Sequence, residues 1–178
     1  LINKASEEEI KDFVLDHLKT VEDLSIYNFF AEKTKYFKED FLSLLDTVNI
    51  YFVEDTKDYS HIYFRNCAVR VTKDVIEPID YVDLGGYVWK DQVIDRDFEF
   101  CDTTDCDFKQ FISNISGGDD SRIKSLESTI GFLLSGYKDP GYCPSVILND
   151  EVISDNPEGG TGKGLFVQGL AAMKKVSY

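Results

Sequence analysis

Apolar residues along the first fifty positions recur three and four apart. Ile10, Phe13, Val14 and Leu18 mark one helical face. Ser6 and Glu9 stand ahead of it at capping-box spacing, so the Ser6 hydroxyl can cap the helix while Glu9 reaches back. TVEDLSIYNFFAEKTKYF and KEDFLSLLDTV continue the helical pattern to about Val48, with a break near Lys38. From Ile50 the rhythm changes. IYFVED, HIYFRNCAVRV, VIEPIDYV and GGYVW are rich in β-branched and aromatic residues divided by Asp, Asn, Lys and Gly, the pattern of short strands. VRVTKDVIEPI reads as a hairpin around Thr72–Asp74, and the glycine pair of DLGGYVW suits a tight turn or bulge.

Helical spacing returns in DFKQFISNIS, where Phe108, Phe111, Ile112 and Ile115 share a side. It continues in DDSRIKSLESTIGFLLSGYKDP, which Gly136 and Pro140 end. PSVILND, bounded by Pro144 and Asn149, predicts a short buried strand. A loop over 151–163 and a helix over 164–176 follow. The expected fold is α+β: N-terminal helices, a small antiparallel sheet, a helical segment, then one strand–loop–helix unit. The boundary that divides these parts falls near Lys138–Pro144, giving 1–143 and 144–178.

Composition narrows the function. A 178-residue chain with 43% hydrophobic and 13% aromatic residues can bury a real core and is not a disordered tail. Its 19 basic against 33 acidic residues leave a formal charge of −14. Phosphate contacts draw on Lys and Arg, so strong nucleic-acid binding by the whole surface is excluded, though not by a local basic patch. No run of eighteen apolar residues is present to span a membrane. The opening LINKASEEEIKDF has neither an initiator methionine nor a signal peptide's pattern and reads as a fragment of a longer chain. Cys67, Cys101, Cys106 and Cys143 form no CxxC pair and lie far in sequence from His17 and His61, so reduced cytoplasmic thiols are expected and no metal site.

The stretch that carries chemistry is NPEGGTGKGLFVQGL, residues 156–170. Glycines let successive backbone N–H groups turn toward an anion, the following helix adds its positive N-terminal end, and a lysine brings a point charge to the outer phosphates. Gly159, Gly160 and Gly162 supply the backbone, Thr161 lies within the loop, Lys163 supplies the charge, and the helix runs from Leu165 onward. Against the full GxxxxGK[ST] pattern the chain departs twice. Pro157 stands at the first glycine, and Gly164 stands where a hydroxyl would ligate Mg²⁺. The plainer alternative is a surface glycine turn before a helix.

Other acidic stretches are weaker signals. Asp150–Glu151, ending the apolar run SVIL, resembles the metal-holding acid pair of an ATPase, yet this run leads straight into the loop and reads as the loop's own strand. DRDFEFCDTTDCD, residues 95–107, lacks the turning glycine of a calcium loop and reads as a solvated connector. No Ser/His/Asp or Cys/His arrangement is legible, since His17 falls in a helical pattern and His61 opens a strand.

Taken in order, YFRNCAVRV…EPIDY, FKQFISNIS…RIKSLESTIGFLLSGYKDP and VILNDE…NPEGGTGKG resemble the phage and prophage primase–helicases related to the poxvirus-type superfamily 3 helicases. The likeness covers about residues 60–178. Asn66-Cys67 stands where that family has Asn-Gly, and Gly164 where it has Ser or Thr. The resemblance implies a pre-helicase region followed by the start of an AAA+-like core in an ATP-driven DNA-unwinding motor. Its cofactor is ATP with Mg²⁺ and its partner single-stranded DNA. The phosphate grip carries over to Gly159, Gly160, Gly162 and Lys163, whereas the family's metal-holding acid, polar sensor and arginine finger follow the loop by tens of residues. Catalysis is then expected to be incomplete in this chain. The alternative, from a different class, is a non-catalytic interaction module, either a truncated prophage remnant or a collar that organises homo-oligomers.

Overall fold

The computed structural model describes residues 1–21, 24–101, 106–149 and 160–174. By its contacts the chain divides into a unit of residues 2–51 and a unit of residues 52–178. Its class is α+β, with six helices and one three-stranded antiparallel sheet among the described residues.

The first unit holds α1 (Glu7–Thr20), α2 (Leu24–Glu32) and the short α3 (Glu39–Leu42). The capping box at Ser6 is formed: Ser6 Oγ accepts the Glu9 N–H at 3.2 Å and Glu9 Oε2 accepts the Ser6 N–H at 2.8 Å. Between α2 and α3 a single 3-10 turn, Thr34–Phe37, buries Phe37 against Phe30. The helical pattern expected to reach Val48 stops at Leu42. Leu44 and Val48 are 79% and 81% exposed. A short helix in water owes its stability to burying an apolar face, and these residues have none to bury it against.

In the second unit β1 (Tyr59–Tyr63), β2 (Ala68–Thr72) and β3 (Ile76–Ile79) form the sheet in sequence order. The β2–β3 hairpin turns where the pattern predicts. Thr72 Oγ1 accepts the N–H groups of Asp74 and Val75, and the Thr72 N–H meets the Val75 carbonyl. Pro78 is tolerated because β3 is an edge strand. IYFVED contributes only one bridge, Phe52 to Tyr87, in place of the expected strand. Asn66 has a larger part than a turn residue: its amide accepts the Phe98 N–H at 2.8 Å and donates to the Phe98 carbonyl at 3.0 Å. That pairing holds segment 94–98 beside the end of β1, where Phe64 bridges Ile94 in parallel. Phe64, Cys67 and Val69 form the buried centre on this face, with Ile62 and Met173 packed against them.

Helices α4 (Asp107–Ile115) and α5 (Asp120–Leu134) pack against each other, and α6 (Lys163–Ala171) packs onto them. Asp119 caps α5 by accepting the Arg122 N–H at 2.9 Å. The segment 143–149 is the main departure. It forms no strand, and no ladder or bridge among the described residues includes it. Ile147 is 86% exposed. An apolar run becomes a buried strand only beside a neighbour that satisfies its N–H and C=O groups. Residues on both sides of the boundary expected at 143/144 lie in this second unit.

Candidate phosphate-binding loop

Of the residues singled out in the sequence, Gly160, Thr161, Gly162, Lys163 and Gly164 are described. Gly159, Asp150 and Glu151 lie outside the described residues. Two glycines have the left-handed backbone that side chains disfavour, Gly160 at φ 95° and Gly162 at φ 90°. Gly162 is the N-cap of α6, and Lys163 is the helix's first residue. The Lys163 ammonium donates to Thr161 Oγ1 at 2.8 Å, so charge and hydroxyl stand together at the exposed end of the helix. First-turn amides have no acceptor within their own helix, and the helix dipole adds positive potential there.

What holds Gly160–Lys163 in position is the packing of α6. Phe166 and Leu170 are buried with Ile112 of α4, ringed by Phe108, Phe111 and Ile123. Gly162 sits so close to Phe111 that a Cβ there would lie 3.1 Å from the ring. Gly169 faces the Phe108 ring with no space for a Cβ at all. The helix buries one face, that of Phe166 and Leu170, while Leu165, on the other side, is mostly exposed. Its far end is tied down twice. Lys174 donates to the Leu134 carbonyl at 2.9 Å, its ammonium lowered from the ordinary lysine value by burial. Met173 reaches the sheet's core, with Arg96 Nη2 at 3.1 Å from its sulfur.

These residues fit a phosphate group better than a metal. Left-handed glycines, a helix N-terminus and an ammonium are phosphate-binding parts. Among the described residues no group of three or more His, Cys, Asp or Glu side chains could hold a metal ion. Gly164 brings no oxygen, although a Cβ there would meet nothing within 4 Å.

Away from the loop, the structure assembles a polar cluster that no spacing rule revealed. Asp55 Oδ1 accepts the His61 N–H at 2.8 Å and lies 3.3 Å from His61 Nδ1, while Oδ2 accepts the Gly136 N–H at 2.7 Å. Burial, the largest influence, pushes the Asp55 carboxyl up. Hydrogen bonds from the His61 ring, Gly136 and the His61 backbone together outweigh it and hold the carboxyl below the usual carboxylate range. The His61 ring is enclosed between Tyr59, at 5.3 Å edge-on, and Tyr63, at 6.1 Å stacked. Burial pushes the Tyr63 hydroxyl up to about 12. His61 Nε2 is buried without a partner among the described residues. The one legible sign was that Tyr59, His61 and Tyr63 share a face of β1 by alternation; Asp55 carried no sign.

The cluster is a joint. It fastens the outer edge of β1 to the end of α5, aided by Ser60 Oγ donating to Ser135 Oγ at 2.9 Å. Comparison with known proteins adds no relative: no family model, no curated protein and no solved structure matches this chain. No helix among the described residues is long and apolar enough to cross a membrane.

Proposed function

We propose that the chain grips the phosphates of a nucleotide, ATP with Mg²⁺, through Gly159–Gly164, and that it is a fragment of a DNA primase–helicase, its pre-helicase region followed by the start of the motor core. The observation that supports this reading is the left-handed pair Gly160 and Gly162 directly ahead of α6, with Lys163 as the helix's first residue. Backbone N–H groups and the ammonium would hold the phosphates. Phosphoryl transfer also needs a metal-holding acid and a positioned water.

Binding of a fluorescent ATP analogue tests the grip: wild type is expected to bind and Lys163→Ala to lose at least about tenfold, since a charge-assisted contact contributes about 1.5–3 kcal/mol. Equal binding by both proteins would refute it. Turnover is expected to stay at background with or without DNA; turnover abolished by Lys163→Ala would make this chain a complete ATPase. Single-stranded DNA is expected to bind weakly and to be released by modest salt, because a chain of charge −14 neutralises few phosphates.

The reading as an interaction module has one observation in its favour. In residues 2–51, Leu44, Leu45, Val48 and Tyr51 present mostly exposed apolar side chains. Exposed apolar side chains that gather into a patch mark association sites. Light scattering separates the readings: an oligomer that dissociates on Leu44→Asp with Val48→Asp supports it, and a wild-type monomer at high concentration removes it.

A further inference from the structure

We draw no further inference here: the strongest candidate, the buried side-chain cluster of Asp55 and His61 between the outer edge of β1 and the end of α5, serves the joint already described, and nothing in the structure shows what would meet the bare His61 Nε2.

Discussion

The Asp55 carboxylate accepts the backbone N–H of Gly136 across 81 positions of sequence, at 2.7 Å, and so fastens the sheet edge to the end of α5. Its folded value is depressed, so its contribution to stability is complete above the ordinary Asp value of about 3.9. That contribution is lost as the pH falls through the folded value. Asp55→Asn, which leaves one N–H facing an amide donor, is expected to cost about 1–3 kcal/mol at neutral pH. The gap between the two proteins should narrow below about pH 4. Urea midpoints from pH 7 to pH 2.5 measure it; two parallel curves would show that the carboxylate is not the acid-sensitive part of the joint.

Gly136 is small because the carboxylate needs the space. A Cβ there would stand 2.7 Å from Asp55 Oδ2. Gly136→Ala should therefore destabilise by about 1–3 kcal/mol. In an Asp55→Ala background most of that cost should vanish, since the atom it collides with is gone. A double-mutant cycle with a coupling below about 0.5 kcal/mol would mean the two residues do not meet as described.

Two glycines of the loop should respond in opposite directions. Gly162→Ala combines a left-handed φ of 90° with a ring 3.1 Å from the new carbon, and should cost more than about 1 kcal/mol. At Gly164 a Cβ meets nothing within 4 Å and the residue is helical, so Gly164→Ala should stabilise by about 0.5–1 kcal/mol. Gly164→Ser has the same space and adds a hydroxyl at the motif's metal-ligand position. It is expected to fold normally and to bind Mg-ATP more tightly than wild type. Thermal melts and nucleotide titration read both effects; a Gly164 variant that melts lower would contradict the open helical site.

Removing the anchor of α6 should loosen the loop from a distance. Phe166, 2% exposed, fills the centre of the helical core. Phe166→Ala should cost about 3–5 kcal/mol. Backbone amides of the first turn of α6 should then exchange faster with solvent. Unchanged exchange would mean that the loop does not depend on this packing.

Local chemistry was readable wherever it acts over a few residues. The Ser6–Glu9 capping box, the Thr72–Val75 turn, the helical faces of α4 and α5, and the glycine loop ahead of α6 all follow from short-range rules of hydrogen bonding and periodicity. The extent of each element was not readable. Residues 43–48 carry a helical pattern and 144–149 a strand's apolar run, yet neither forms, because helix and strand both depend on a neighbour to bury or pair with. Long-range partners were the other thing hidden. Nothing in the spacing of Asp55, His61 and Gly136, or of Asn66 and Phe98, announces their contacts, which exist only once the sheet edge, α5 and segment 94–98 are brought together. The sequence by itself determined the α+β class and the glycine turn with Lys163 ahead of a helix. Only tertiary packing decided that α6 turns back onto α4 and α5, because that burial depends on apolar faces far apart along the chain.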